Sequence, residues 1–183
     1  MYSPPVSPIL FVGSSSIRMW PDLENTFADY VVLNRGVGGA IINDVIFYAD
    51  DIIFPYNPRQ IIIYVGENDL PDENNTADSV FHRFKNLYKI IRNRLPNVPI
   101  AYIAIKPSPS REKYVGKAKE VNGLISRFLK DEPNAEFIDI FTPMITKGGN
   151  NRPELFVEDM LHMNKEGYKI WRKAVEPYLL KKQ

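Results

Sequence analysis

Five short runs of apolar, β-prone residues punctuate the chain: Ile9–Val12, Tyr30–Leu33, Gln60–Val65, Pro99–Ile105 and Ala135–Ile140. Each is nearly continuous rather than alternating, the pattern of a strand covered on both faces, as in a parallel sheet. Between these runs, apolar residues recur at spacings of three and four. Val45, Tyr48, Ala49 and Ile52 mark a short helix. Val80, Phe81, Phe84, Leu87, Tyr88, Ile91 and Leu95 mark a long one, with Asn75 or Thr76 as its cap. Ala118, Val121, Ile125, Phe128 and Leu129 mark a third; Tyr168, Trp171, Val175, Tyr178 and Leu179 mark the last, capped near Asn164. Each helix thus carries one stripe to bury. Strands alternating with helices predict right-handed βαβ units, an α/β fold whose parallel sheet is covered on both faces. No internal repeat, low-complexity segment or linker interrupts the pattern, so residues 1–183 read as one domain.

In such a chain the segments that follow the strands collect at one edge of the sheet, where open α/β sheets bind ligands. Here they are Gly13–Ser16, Asn34–Gly39, Gly66–Asp69, Lys106–Arg111 and the long run Phe141–His162. The last exceeds the usual connection length, and long loops tend to carry function. The first is the most pointed: ILFV breaks at Gly13 into three serines and then a helical start. Serine at such a break can simply cap a helix. It can also lift a hydroxyl to the sheet's carboxyl edge. The hydroxyl best placed to act there sits at the helix mouth, where backbone N–H groups are unsatisfied. Ser16 is then expected to start or cap the helix, and Ser14 to support the turn by a local hydrogen bond.

Composition narrows the chemistry. Lys plus Arg number 23 against 22 Asp plus Glu, and no basic block or aromatic–basic stripe appears, so nucleic acid is not implied. The absence of Cys excludes disulfides, thiolate metal sites and a Cys nucleophile. Two histidines, His82 and His162, are too few for a multi-His metal site, and nothing calls for a metal or another cofactor. No run approaches the length of a membrane span. Residues 1–8 carry neither a basic start nor a long apolar run, so no signal peptide is visible in them.

A serine nucleophile needs a base, the base an orienting partner, and the developing oxyanion two or three fixed donors. His82 groups with Lys85, Asn86, Lys89 and Asn93 on the polar face of its helix and is expected to be solvated. His162 lies just before the last helix with Asp159 three residues upstream, a spacing that can set the carboxylate against Nδ1. An Asp cap beside a stray surface His would look the same. Asn68 follows the third strand in YVGENDL, and its amide either completes a turn or faces the site as a donor. Gly39 ends NRGVGG after the second strand, where it serves a tight turn or brings a bare N–H close to substrate.

These residues carry a resemblance. Gly13-Ser14-Ser15, Gly39 in GVGG, Gly66-Glu67-Asn68-Asp69 and Asp159-Met160-Leu161-His162 occur in the order of the four blocks of the GDSL/SGNH hydrolases, a family of esterases and lipases. The likeness runs from residue 9 to about 171. It implies Ser15 as nucleophile, His162 as base and Asp159 as its orienter. It implies an oxyanion hole from the Ser15 N–H, the Gly39 N–H and the Asn68 side chain. It also implies a three-layer, flavodoxin-like α/β/α sandwich with a five-stranded parallel sheet in strand order 2-1-3-4-5, acting on small-molecule acyl esters. Ser14 stands where the family pattern has Asp. The G-x-S-x-G elbow of α/β-hydrolases is absent, because Ile17 follows Ser16.

Two other readings remain open on sequence. One is a flavodoxin-like module whose Gly13–Ser16 turn cradles a phosphate; the other is a catalytically silent relative that binds a sugar or peptide. Trp20, Met160, Leu161 and Met163 are candidates for an apolar rim, and any of them could be core instead. Lys106 and Arg111 in KPSPSR could meet an anionic or sugar group, or be solvated loop charges.

Overall fold

The structure is a computed structural model and describes residues 3–181; the first two residues of the 1–8 stretch and the last two of the chain lie outside it. Strands β1 (Ile9–Gly13), β2 (Val32–Gly36), β3 (Gln60–Tyr64), β4 (Ile100–Ile103) and β5 (Ala135–Ile138) pair in parallel throughout, in the order β2-β1-β3-β4-β5. Between and after them run α1 (Ser15–Arg18), α2 (Leu23–Thr26), α3 (Ile42–Phe47), α4 (Ala49–Ile52), α5 (Ala77–Arg94), α6 (Val115–Lys130) and α7 (Lys165–Val175).

Strand periodicity sorts the core into two halves. Leu10, Val12, Ile61 and Ile63 point to one face, where Val45 of α3, Val80 and Phe84 of α5, and Val121 and Ile125 of α6 cover them. Ile9, Phe11, Ile62 and Tyr64 point to the other, against Ile17 of α1, Leu23 of α2 and Trp171 and Val175 of α7. The result is the three-layer sandwich. Because β1 is flanked by β2 and β3, chain progression reverses direction between β1 and β3, and the crevice beyond their carboxyl ends is where such sheets place a ligand.

Several boundaries differ from those the pattern predicts, each for a local reason. The second strand begins at Val32 rather than Tyr30, because Tyr30 closes a one-turn helix and Val31 adopts φ 52°. Pairing of β4 ends at Ile103, and the N–H of Ile105 is taken by the Asn122 side chain instead (2.8 Å). The short helical pattern around residues 45–52 is two helices broken at Tyr48. The last helix stops at Val175, and Pro177 lies in the single turn that follows. Thr76 caps α5 by accepting the Ser79 N–H, and Asn164 caps α7 by accepting those of Glu166 and Gly167. Among the described residues no helix is long and apolar enough to cross a membrane.

Trp171 is the keystone of the α1–α2–α7 face. It is fully buried, lies 4.7 Å from the Tyr64 ring and 5.7 Å from Trp20, and donates its indole N–H to Met144 Sδ. Trp171→Ala should therefore cost about 3–5 kcal/mol of stability. Exposed Lys173→Ala on the same helix should stay within about 0.5 kcal/mol of the parent. Urea unfolding of both variants checks this, and equal midpoints would contradict the assignment.

Candidate active site

Gly13 ends β1 with φ +138°, and a Cβ there would fall 1.8 Å from the Tyr64 carbonyl oxygen. Only glycine lets the chain turn this sharply against β3. The next N–H, that of Ser14, donates to that same oxygen (2.9 Å), so the turn is stapled to the neighbouring strand. α1 then starts at Ser15, with Ser14 in the cap position. This corrects the expected roles of the flanking serines. Ser14, not Ser16, is the cap residue, and its side chain makes no capping bond; Ser16 is buried in the first turn. The turn is held by the backbone bond to Tyr64, which leaves the Ser14 hydroxyl no bond to supply. Ser15, the first helical residue, has an N–H with no partner inside the helix.

At the far end of the chain, Asp159 Oδ2 lies 2.6 Å from His162 Nδ1, and His162 Nε2 lies 3.2 Å from Ser15 Oγ. The other oxygen of Asp159 accepts the backbone N–H groups of Leu161 (2.9 Å) and His162 (2.8 Å). Desolvation pulls the Asp159 pKa upward, but these three hydrogen bonds outweigh it and hold the carboxyl at about 2. A carboxylate on Nδ1 fixes the tautomer with the proton there, leaving Nε2 free to accept the serine proton. The loop is shaped for this. Met160 takes φ 55°, the Val157 N–H closes onto the His162 carbonyl, and Asn164 ties the start of α7 back to the carbonyls of Glu154 and Phe156.

The third wall comes from β2 and β3. Gly39 adopts φ +73°, and a Cβ there would meet no protein atom, so conformation rather than crowding calls for glycine. Asn68 donates from Nδ2 to the Ala40 carbonyl (3.0 Å), and its Oδ1 receives a long hydrogen bond from Arg111 (3.4 Å). Buried Asp69 clamps the same two loops, accepting the Ile42 N–H and the Arg83 guanidinium; burial raises its pKa, and those partners oppose the rise.

The structure thus brings Ser15, His162, Asp159, Asn68 and the Gly39 loop to one sheet edge. His82 is exposed on α5, as expected. Other expectations need correcting. Trp20 is no rim residue: at 4% exposure it sits in the aromatic core against Phe11, Phe27, Tyr168 and Trp171. Met163 is likewise buried, whereas Met160 is exposed and Leu161 half-buried on the histidine loop. Lys106 is not a solvated loop charge. It is 2% exposed and paired with Glu67 at 2.6 Å. The sequence pattern singles out Asn68 and gives Glu67, Asp69 and Ser108 no role beyond loop chemistry, although Gly-Glu-Asn-Asp directly follows a strand. No group of His, Cys, Asp and Glu among the described residues could hold a metal ion.

No curated protein matches this chain. Among solved structures, a Streptococcus pneumonia protein named for platelet activating factor superposes with TM-score 0.84 at 22% identity, over 96% of this chain and 85% of its own. A GDSL-like lipase from Bacteroides thetaiotaomicron gives 0.79 at 17%, over 97% and 91%. A catalytic mutant of an acetylxylan esterase from Geobacillus stearothermophilus gives 0.75 at 12%, over 97% and 96%. At these identities the likeness speaks for the fold. The family model for GDSL-like lipases and acylhydrolases, however, matches residues 12–170, nearly the whole length. The chain belongs to the GDSL-like lipase/acylhydrolase family.

Proposed function

We propose that the chain, acting as one domain, is a serine esterase that cleaves small or medium acyl esters through an acyl-enzyme. The observation that carries this reading is the continuous run Asp159–His162–Ser15, with separations of 2.6 and 3.2 Å. Ser15 Oγ attacks the acyl carbonyl as His162 Nε2 takes its proton. Asp159 holds the ring and stabilises the imidazolium. The oxyanion is met by the N–H of Ser15, the N–H of Gly39 and the Asn68 amide. One amide hydrogen of Asn68 is spent on Ala40, which aims the group and leaves the second for substrate. His162 then protonates the leaving alkoxide, and water releases the acyl group by the same steps reversed. No cofactor enters. Met160 and Leu161 supply an apolar rim, and the acetylxylan esterase that shares this fold makes acetylated sugars a substrate class to screen beside p-nitrophenyl esters of rising chain length.

Ser15→Ala should abolish hydrolysis with the melting temperature preserved, and a serine-directed phosphonate should label Ser15 alone. Full activity in that variant would sink the mechanism. Asn68→Ala should lower kcat on the order of 10²- to 10³-fold with little change in KM, as loss of an oxyanion donor does. A change confined to KM would make Asn68 a ground-state contact only.

Acidification should silence the enzyme in a single-proton step. Imidazolium cannot accept the Ser15 proton. Asp159, held down to about 2, stays ionised across that limb and adds no second proton. The acid limb of log kcat/KM should therefore have unit slope. A profile flat to pH 4 would remove His162 as the base.

A further inference from the structure

Behind the Asn68 turn lies a set of polar side chains that the proposed chemistry does not use. Glu67, Lys106, Ser108 and Tyr64 are all buried, none more than 4% exposed. Glu67 Oε2 accepts from Lys106 Nζ and from the Tyr64 hydroxyl, both at 2.6 Å, and Oε1 accepts from Ser108 Oγ at 2.5 Å. Lys106 Nζ also donates to Ser108 Oγ (2.8 Å), and the Lys106 N–H reaches the Tyr64 hydroxyl (3.4 Å). Each carboxylate oxygen thus has a donor. Burial pushes the lysine pKa down while Glu67 beside it pulls the other way, and burial pushes the Tyr64 phenol well up.

A buried ion pair gives little net stability, because desolvation offsets most of its attraction, and an apolar pair of similar shape often serves as well. Its value here must lie in what it fixes. Glu67, Tyr64 and Ser108 each connect to a piece of the site through a short chain of bonds. Glu67 is bonded directly to Asn68. The Tyr64 carbonyl holds the N–H of Ser14, beside the nucleophile. The Ser108 carbonyl accepts the Arg111 N–H, and Arg111 reaches Asn68 Oδ1. The N–H of Ser110 donates to the Met160 carbonyl in the histidine loop (3.0 Å). Carboxylate geometry then sets how far apart these segments stand, with a directionality that apolar packing lacks.

Resting on the esterase reading, we propose that the buried Glu67–Lys106 pair, locked by Tyr64 and Ser108, is a positioning unit that aims Asn68 at the oxyanion. Glu67 and Lys106 are positioning residues; neither touches the substrate. The test replaces both charges together, Glu67→Met with Lys106→Met, so that no unpaired ion remains. The expected variant melts near the parent yet loses kcat by roughly 10- to 10²-fold, as an ångström of misplacement does, with KM nearly unchanged. Introduced into Asn68→Ala, the same double change should cost little more, because the unit acts through a side chain already gone. Should the double variant fail to fold, Ser108→Ala and Tyr64→Phe each remove one hydroxyl and enter the same cycle. A folded variant with parental kcat, or losses that multiply fully onto Asn68→Ala, would overturn the proposal and leave the esterase reading standing. Absence of ester turnover in the parent would overturn both.

Discussion

Everything at the site depends on the close approach of β1 to β3 at their carboxyl ends. At that point Gly13 presses its bare Cα against the Tyr64 carbonyl, and the Ser14 N–H bonds the same oxygen. The strands are neighbours because the sheet order reverses there. That reversal opens the crevice into which α1 delivers Ser15 and the turn after β3 delivers Asn68. A side chain at residue 13 would separate the two strand ends and, with them, Ser15 from Asn68.

His162 arrives by a different logic. His162 is 147 residues from Ser15 and belongs to no strand, so pairing cannot place it. Its loop is instead built from its own backbone. Asp159 accepts the main-chain N–H groups two and three residues on, Val157 closes onto His162, and Asn164 begins α7 at once. α7 is then anchored by Trp171 against Tyr64, the residue that also receives Ser14. One aromatic contact therefore refers His162 to the same strand end as Ser15.

The parts legible in sequence were those encoded locally. Nearly continuous apolar runs gave five strands, helical spacing gave the three long helices, and D-x-x-H gave the Asp159–His162 bond because three residues suffice to make it. The boundaries that slipped turn on single residues, such as the positive φ of Val31, for which a Val offers no warning. Trp20 and Lys106 failed more instructively. Whether an aromatic near a turn packs inward depends on residues far away, here Phe27 and α7. Lys106 looked like a loop charge because its partner Glu67 lies 39 residues earlier, and hydropathy patterns carry no sign of a buried ion pair.

The charges at this edge of the sheet divide by exposure. The Asp159 and His162 side chains keep 47% and 24% of their surface in contact with solvent, while those of Glu67 and Lys106 keep 5% and 1%. A group that must gain and lose a proton every turnover is poorly served by a dry site, where each change of charge meets a large desolvation term. A group that must hold distance without titrating benefits from that same penalty. Buried beside its ion, with every oxygen occupied, it has no low-energy alternative arrangement. The exposed pair keeps water within reach, and the buried pair is held in one arrangement. Asn68, bonded in sequence to the buried pair, is held in turn by the Ala40 carbonyl and Arg111, so the rigidity of that pair reaches the loops at the sheet edge.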